Sequence, residues 1–544
     1  MTREGAKSWK TLGTALTLLA GAAGATLATS SSAAATERPV VATVEGPVLG
    51  LEHDGVDVFT AIPYAAPPVG PLRFRPPQPR GRWTQPLDAN RETPACPQTP
   101  GSAIGKPSED EDCLFLNVWA PADHAGGKRA VMVWIHGSGD KGFGGSPFFD
   151  GFHLAHDNGV VVVTINYRLG LLGSLVSPSL DSADGKHLSG NYHLLDQQEA
   201  LRWVKRNATR FGGDPGAVTV FGESAGGGAV LALLASPASR GLFHRAIVES
   251  GAAAQLVSRA SAEKLTHDVY LPALGCADAK NVAACLRAAP VAAYLKEAAA
   301  FMHVQDDHLL PLDPFVAFQT GAFNRVPVLI GTNADEGHFH AALFESSRGR
   351  RTTEDDYRSD IELLARIPWT RLGGSVSTVL TLYPTRNFPS PAAAESQFVT
   401  DLLFACDADL ARRGMSAFTT VYGYEFTESD PVQEEPLAPL TELPNVAYHT
   451  SEEAYIFDGD HNHSALTGNA ATLSVMMRGY WTSFAKTGDP NGGGRPRWPR
   501  FSHGNPALLS LQDVPRVTTR FAERHNCANL EAAGLISVKE LPVK

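Results

Sequence analysis

The sequence predicts an α/β fold with a mostly parallel central sheet, helices on both faces and helical insertions. Short apolar runs rich in β-branched residues recur along the chain, at 130–135, 160–165, 218–221, 246–248 and 326–330. Runs that are apolar throughout, rather than at alternate positions, are typical of strands buried on both faces of a parallel sheet. Helix-like stretches lie between these runs, for example at 195–211 and 226–234. Such alternation is typical of a doubly wound architecture.

Length and composition are those of an ordinary globular protein. The chain has 544 residues, of which 43% are hydrophobic and 19% charged, so collagen-like repeats, coiled coil and disorder are excluded. We find neither a repeat nor a low-complexity linker and predict one domain over residues 36–544. Pro- and Gly-rich segments before residue 130 predict antiparallel edge strands and loops. Residues 260–325 and 345–400 are expected to be the helical insertions.

The N-terminus has the pattern of an export signal. Three basic residues precede an apolar run at 12–28, and small residues at 33–35 fit an A-x-A cleavage site. We predict a signal peptide over residues 1–35, cleaved near Ala35, and therefore a secreted protein. The alternative is a single anchoring helix, but glycines interrupt the run and a Ser/Ala segment ends it.

The charge of the chain argues against two classes of partner. The formal net charge is −11 and the isoelectric point is about 5.9. Nucleic acids and anionic membrane surfaces attract basic proteins, so neither is an expected partner. Only the N-terminal apolar run approaches the length of a membrane span, and no membrane span is predicted in the mature chain.

The cysteine content agrees with export. The cysteines form an even set without a C-x-x-C pair, which argues against a zinc site or a redox dithiol: Cys96, Cys113, Cys276, Cys285, Cys406 and Cys527. Six cysteines allow many pairings, and spacing selects none of them, although the first two and the next two are near neighbours in sequence. The alternative is a set of buried reduced thiols.

A serine at a strand-to-helix junction is the first candidate for chemistry. Residues 218–235 run from a strand-like segment through the pentapeptide GESAG at 222–226 into a helix-like segment. In this G-x-S-x-G context the glycines permit a tight turn that exposes the serine hydroxyl. The start of the helix also aims backbone N–H groups and a positive dipole end at the same place. Ser224 is therefore the predicted nucleophile, the alternative being an ordinary serine in a Gly-rich turn.

A serine nucleophile needs a base and a carboxylate that orients the base. The chain order expected for such a site is serine, acid, histidine, each after a later strand. Glu336 and its neighbour Asp335 both follow the strand-like segment at 327–333, and residue type does not decide between them. His449, one of 18 histidines, satisfies the order.

A glycine-rich turn supplies candidate donors for an oxyanion. The strand-like segment 131–135 is followed by His-Gly-Ser-Gly at 136–139. Backbone N–H groups of such a turn, together with that of the residue after the nucleophile, stabilise the acyl oxygen in the transition state. The alternative is a plain glycine-rich loop.

Several segments together resemble the type-B carboxylesterase family, which includes the cholinesterases and some fungal lipases. The resemblance rests on FGESAGG (221–227), GTNADEG (331–337) and AYHTSEEAYIF (447–457), in that order. Further matching segments lie at 46–79, 108–121, 166–175, 190–215 and 244–252, so the resemblance covers nearly the whole mature chain. It implies an α/β-hydrolase fold and indicates a bacterial secreted carboxylesterase.

The resemblance assigns a role to each candidate residue. It implies that Ser224 is the nucleophile, His449 the general base and acid, and Glu336, rather than Asp335, the orienting carboxylate. It implies further roles for four residues, with backbone N–H groups of Ser138, Gly139 and Ala225 as oxyanion donors and Ser250 near the triad carboxylate. It also implies three disulfides, Cys96–Cys113, Cys276–Cys285 and Cys406–Cys527, and no metal or organic cofactor.

Two departures from the family pattern bear on chemistry and substrate. The family's oxyanion turn is His-Gly-Gly-Gly or His-Gly-Gly-Ala, whereas Ser138 here adds a Cβ that restricts the backbone and a hydroxyl that adds a donor. The loop at 97–112 contains no aromatic residue, so the cation–π contact by which cholinesterases recognise choline is not expected. Its polar, Pro- and Gly-rich residues are also unsuited to the long amphipathic lid of the fungal lipases.

These observations predict a secreted serine carboxylesterase that acts on a small-molecule ester through an acyl-enzyme. One alternative is a lipase acting on longer-chain or interfacial esters, with a lid built from the 345–400 insertion. The other is a non-catalytic recognition protein of the same family, against which the presence of Ser224, Glu336 and His449 argues.

Overall fold

The structure, a computed structural model, describes residues 38–101, 104–123, 128–139, 141–181, 188–251, 256–297, 303–366, 376–432, 443–459 and 465–536. The predicted signal peptide, residues 1–35, lies outside these ranges. Arg38–Lys544 group into one compact unit.

The strands of the described ranges are, in chain order, β1 (Val40–Ala42), β2 (Pro47–Leu49), β3 (Leu51–His53), β4 (Val56–Pro63), β5 (Leu87–Asp88), β6 (Phe115–Pro121), β7 (Arg129–Ile135), β8 (Val161–Ile165), β9 (Gly213–Glu223), β10 (Arg245–Glu249), β11 (Leu256–Ser258), β12 (His303–Gln305), β13 (Val328–Asn333), β14 (Val421–Phe426), β15 (Leu508–Leu511) and β16 (Arg516–Thr518). Eleven of them form the central sheet, in the order β16-β15-β14-β13-β10-β9-β7-β8-β6-β4-β3.

The strands from β15 to β8 in this order run parallel to one another. The edge strands β6, β4 and β3, and β16 at the other edge, are antiparallel. The structure therefore confirms the mostly parallel sheet and the antiparallel edge strands expected before residue 130.

The helices of the described ranges are α1 (Phe152–Asn158), α2 (Gly170–Ser174), α3 (Tyr192–Asn207), α4 (Ala225–Ala235), α5 (Arg259–Leu265), α6 (Leu271–Ala273), α7 (Val282–Ala288), α8 (Val291–Tyr294), α9 (Pro314–Thr320), α10 (Gly337–Arg348), α11 (Glu354–Arg366), α12 (Val376–Leu382), α13 (Pro391–Val399), α14 (Cys406–Ser416), α15 (Glu453–Phe457), α16 (Gly468–Thr487), α17 (Phe521–Arg524) and α18 (Cys527–Ala532). None of these helices is both long enough and apolar enough to cross a bilayer.

The central strands are apolar throughout because both faces of the sheet are covered. In β7, Val131 and Val133 pack into the core that includes α3 and α4. Met132 and Trp134, which point to the opposite face, pack into the core that includes α1, α15 and α16. This two-sided burial is the physical reason for the continuous apolar runs in the sequence.

The helical insertions are more varied than expected. The segment 260–325 contains helices α5 to α9, but it also supplies β12, which pairs with β11 in a separate two-stranded parallel sheet. Both strands have three residues, too few to show a period in the sequence.

Three disulfides pair the six cysteines, and they are the pairs implied by the family resemblance: Cys96–Cys113, Cys276–Cys285 and Cys406–Cys527. The last of these joins the start of α14 to the start of α18 across 121 residues of sequence. It anchors the C-terminal helices to the body of the fold.

Candidate active site

Ser224 lies on a strained turn between β9 and α4. Its φ is 55°, in the left-handed region that residues with a Cβ rarely adopt. The flanking glycines make the turn possible, because a Cβ on Gly222 would lie 2.6 Å from the Ile135 carbonyl oxygen and one on Gly226 would lie closer still. The turn therefore packs directly against the end of β7, in the strand–turn–helix arrangement that the motif predicts.

Three side chains from distant parts of the sequence form one hydrogen-bonded chain. Ser224 Oγ lies 2.8 Å from His449 Nε2, and His449 Nδ1 lies 2.6 Å from Glu336 Oε2. Glu336 is fully buried and His449 is 4% exposed, so water competes little for these bonds. The neighbouring Asp335 has no hydrogen bond to His449, and its backbone N–H donates to Ala447 O at 2.9 Å.

The parallel sheet explains why these residues meet. Ser224 follows β9 and Glu336 follows β13, and only β10 lies between the two strands. The carboxyl ends of parallel strands share one edge of a sheet, so the two side chains arrive at the same edge. His449 lies between β14 and α15, where the Asn333 side-chain amide donates to Tyr448 O at 2.7 Å and holds the preceding backbone.

The environment of Glu336 makes it a strong acceptor. The backbone N–H of Asn333 donates to its Oε1 at 2.7 Å, which leaves Oε2 for His449. Burial raises the pKa of Glu336 to about 8, although the nearby Ser250 hydroxyl and the Asn333 N–H lower it. Its bond to Nδ1–H selects the tautomer in which Nε2 is free to accept a proton.

Glu452 is a second buried acid behind Glu336 that the sequence analysis did not identify. Ser250 Oγ donates to Glu452 Oε1 at 3.2 Å, and the Asn333 amide donates to the other oxygen. Burial and the charge of Glu336 raise the pKa of Glu452 to about 7. Ser250 thus lies near Glu336, as the resemblance implies, and its hydroxyl donates to Glu452.

A third acid, Glu249, ends β10 and is also fully buried. Its Oε1 accepts from Trp481 Nε1 at 2.8 Å. Burial, with the charge of Glu452, raises the pKa of Glu249 to about 8. In the sequence, Glu452 lies three residues after His449 and Glu249 ends an otherwise apolar strand, but neither position indicates which groups bury the carboxyl.

Aromatic rings surround the imidazole of His449. The ring centroids of Phe404, His340 and Phe339 lie 4.7, 5.5 and 6.1 Å from that of His449. Burial and the charge of His449 lower the pKa of His340 to about 3, so its ring is neutral. These rings limit the movement of the imidazole, and none of the three was predicted.

The three candidate oxyanion donors lie on two turns. Ser138 and Gly139 follow β7 with φ of 69° and 59°, and Ala225 is the first residue of α4, where helical N–H groups lack an intrahelical acceptor. A Cβ on Gly137 would lie 3.1 Å from Ser224 Cβ, so the first turn passes directly beside Ser224. The side chain of Ser138 is exposed, and its backbone is held in the conformation that glycine adopts most readily.

Two residues next to these turns are buried. The ring of His136 stacks on that of Tyr167 at 4.5 Å, and Tyr167 OH donates to His136 O at 2.6 Å. Burial lowers the pKa of His136 to about 4, so this ring is neutral. Glu223 places Oε1 3.4 Å from His449 Nε2.

Within the described ranges, no group of three His, Cys, Asp or Glu side chains is arranged to hold a metal ion.

Comparison with known proteins identifies the family of the chain. The model of the carboxylesterase family matches residues 37–529. The para-nitrobenzyl esterase of Bacillus subtilis (strain 168) is 36% identical over 475 residues, which are 83% of this chain and 90% of that protein. The fumonisin B1 esterase of Sphingopyxis macrogoltabida is 34% identical over 471 residues, which are 84% of each protein.

Solved structures agree with these sequence relatives. A thermophilic PNB esterase matches with a TM-score of 0.76 and 33% identity, over 91% of this chain and 100% of that one. The α/β-hydrolase fold and the family expected from the sequence are both confirmed. The chain belongs to the carboxylesterase family of carboxylic ester hydrolases.

Proposed function

We propose that the protein is a secreted serine carboxylesterase that hydrolyses small-molecule esters, with Ser224 as nucleophile, His449 as general base and acid, and Glu336 as the orienting carboxylate. The observation that carries the proposal is the hydrogen-bonded chain from Ser224 Oγ through both imidazole nitrogens to Glu336 Oε2. The named activities of the relatives, hydrolysis of para-nitrobenzyl and fumonisin esters among them, support an ester as substrate.

Acylation begins when Ser224 Oγ attacks the carbonyl carbon of the ester and its proton passes to His449 Nε2. Glu336 stabilises the resulting imidazolium through the Nδ1–H bond. The oxyanion accepts hydrogen bonds from the backbone N–H groups of Ser138, Gly139 and Ala225, and loss of one such donor typically costs about 3–4 kcal/mol. The tetrahedral intermediate then collapses, the ester C–O bond breaks, and His449 Nε2–H protonates the departing alcohol.

Deacylation repeats these steps with water in place of the serine. His449 Nε2 takes a proton from the water as it attacks the acyl carbon, and the same N–H groups hold the second oxyanion. Collapse returns the proton to Ser224 Oγ and releases the carboxylic acid. Apart from the ester and water, each step uses only groups of the protein.

Secretion is supported by two features. The first 35 residues have the pattern of an export signal, and the six cysteines form three disulfides, which persist in oxidising compartments. We propose that the mature protein is one domain that begins near Thr36 and extends to residue 544.

The proposal is tested by steady-state hydrolysis of p-nitrophenyl butyrate by the mature protein and by Ser224→Ala. We expect an active wild type and an inactive, folded Ser224→Ala, whereas Ser359→Ala, on the exposed part of α11, should retain activity. Activity that survives in Ser224→Ala would overturn the nucleophile. A folded but inactive wild type would favour the recognition protein, and a rise in activity above the solubility limit of a long-chain ester would favour the lipase.

A further inference from the structure

A cavity of about 180 Å³ lies where the segment 74–76, the start of α3 and helix α7 meet. Its lining includes two arginines, Arg75 and Arg287, and the side chains of Tyr192, Asp181 and Ser189. None of these residues has a role in the proposed hydrolysis. The chemistry of the lining is that of a site for a small anion, for four reasons.

The first reason is that both guanidinium groups are held in place but left without an acidic partner. Arg75 Nε donates to Pro71 O at 3.0 Å, and Arg287 Nε donates to Arg73 O at 2.9 Å. The Nη groups of Arg75 and Arg287 have no hydrogen-bond acceptor among the described residues, and neither residue forms an ion pair there. Arg75 is exposed and Arg287 is partly buried, so two donor pairs face solvent at one cavity, in the fork geometry that matches an oxyanion.

The second reason is electrostatic. Burial and the positive charge of Arg75 lower the pKa of Arg287, so the two guanidinium groups, which both line the cavity, repel one another. An anion between them removes this repulsion. Asp181, the acidic residue among those described in the lining, does not remove this repulsion, because its Oδ2 is paired with Arg259 Nη2 at 2.6 Å.

The third reason is a buried hydroxyl without a partner. Tyr192 is 1% exposed, and its OH has no hydrogen-bond partner within the described part of the chain. Burial raises the pKa of Tyr192, so the phenol keeps its proton and remains a donor. Buried hydroxyl groups are almost always hydrogen-bonded, and an exception indicates a missing partner.

The fourth reason is the position of Tyr192 in its helix. It is the first residue of α3, a helix of 16 residues. The N-terminus of a helix carries a positive partial charge and unpaired N–H groups, which favours an anion at this end.

We propose that this cavity is a binding site for a small oxyanion, a phosphate or a carboxylate, held between Arg75 and Arg287 with the Tyr192 hydroxyl as a further donor. The bound ion joins three parts of the chain, the segment 74–76, the start of α3 and helix α7. It also supports Arg73, whose Nη1 donates to Arg287 O at 3.0 Å and whose Nε donates to Glu111 Oε1 at 2.7 Å, within the Cys96–Cys113 loop. Occupancy therefore stabilises the packing of α7 and of this loop.

The test is a thermal unfolding titration of the mature protein at constant ionic strength, with sodium phosphate and sodium butyrate as probes and sodium chloride as reference. A ligand that binds only the folded state raises Tm in proportion to the logarithm of its concentration above Kd. A rise with phosphate alone identifies a phosphate site, and a rise with butyrate alone identifies a carboxylate site, which would make the acid released by ester hydrolysis a ligand. A rise with both identifies a general oxyanion site.

Three variants locate the effect. Arg75→Gln and Arg287→Gln should each weaken binding of the oxyanion about tenfold, which corresponds to a loss of about 1.4 kcal/mol. Tyr192→Phe should weaken binding less. Arg358→Gln removes an equal charge from the exposed surface of α11 and should bind as wild type. Retained hydrolysis of p-nitrophenyl butyrate shows that each variant is folded, and if Arg287→Gln does not fold, Arg75→Gln and Tyr192→Phe carry the test.

Two results would overturn the proposal. One is a wild-type Tm that does not exceed the chloride reference at concentrations up to about 50 mM of either probe. The other is a Tm rise that persists unchanged in Arg75→Gln and Tyr192→Phe. Both results are independent of the role proposed for Ser224, because the readout is unfolding.

Discussion

Replacing Glu336 with glutamine exchanges a fully buried carboxyl group for an amide, and the surrounding hydrogen bonds determine how the amide must lie. Glu336 Oε1 accepts the Asn333 backbone N–H at 2.7 Å, and Oε2 contacts His449 Nδ1 at 2.6 Å. An amide has one oxygen acceptor and one NH₂ donor. Because the Asn333 N–H requires the oxygen, the NH₂ faces Nδ1, which must then accept. The proton moves to Nε2, and the imidazole loses its ability to take the proton of Ser224.

The expected loss is large and confined to catalysis. A reversed tautomer of this kind lowers kcat by about 10⁴, which is about 5 kcal/mol of transition-state stabilisation. We expect this decrease in kcat for p-nitrophenyl butyrate with little change in KM. The free energy of unfolding should not fall, because burial raises the pKa of Glu336 to about 8 and the site therefore disfavours the charge that the amide removes.

The matched control is Asp335→Asn, at the neighbouring acid that the residues alone did not exclude. Asp335 has no hydrogen bond to His449, so its amide variant should keep kcat/KM within a factor of about two. The reasoning is refuted if Glu336→Gln retains kcat within about tenfold of wild type, or if the loss falls on Asp335→Asn instead.

Three further predictions concern strain, buried charge and cross-linking. Ser138→Gly should raise the free energy of unfolding by about 1 kcal/mol, because a φ of 69° is unfavourable for a residue with a Cβ. Its kcat/KM should be unchanged, since the proposed donor is a backbone N–H, and a large loss would show that the hydroxyl is needed. Glu249→Gln should flatten the pH dependence of stability measured by urea unfolding. Burial raises the pKa of Glu249 from 4.5 to about 8, so its contribution to the free energy of unfolding is fully present below about pH 4.5 and is lost as pH rises through about 8. The loss is at most about 1.4 kcal/mol per pH unit. An unchanged slope in the variant would contradict this origin of the pH dependence. Removing the bridge Cys406–Cys527 by serine substitution releases a loop of 121 residues and should cost about 5 kcal/mol by loop-closure entropy. A loss below about 2 kcal/mol in urea unfolding would argue against that account.

The sequence predicted best those elements whose burial is uniform. The run at 160–165 became β8 (Val161–Ile165), and the run at 246–248 became the middle of β10, because a strand covered on both faces must be apolar at every position. By contrast β14 was not predicted. It is buried at all six positions but contains Gly423 and Glu425, and Glu425 is tolerated because His525 Nε2 lies 2.9 Å away and Arg524 Nη2 pairs with its other oxygen.

The residues of the candidate site likewise differ in how well the sequence predicts them. Ser224 could be identified from a short segment, because the strained turn requires glycines at two fixed neighbouring positions. Glu249 and Glu452 could not, because their burial depends on partners such as Trp481 and Ser250 that are remote in sequence.

By itself, the sequence determined the fold class, and it predicted Ser224 as nucleophile and the chain order of the acid and the histidine, since each depends on local pattern or on family resemblance. Residue type left Glu336 and Asp335 open and the resemblance favoured Glu336, but only the tertiary structure decided why Glu336 meets His449 and which neighbours desolvate that pair. Adjacent residues on a turn point in different directions, and the direction that each takes is set by hydrogen bonds to distant segments, here the Asn333 N–H on Glu336 and the Ala447 carbonyl on Asp335. Those bonds exist only after the parallel strands have brought the segments to one edge of the sheet.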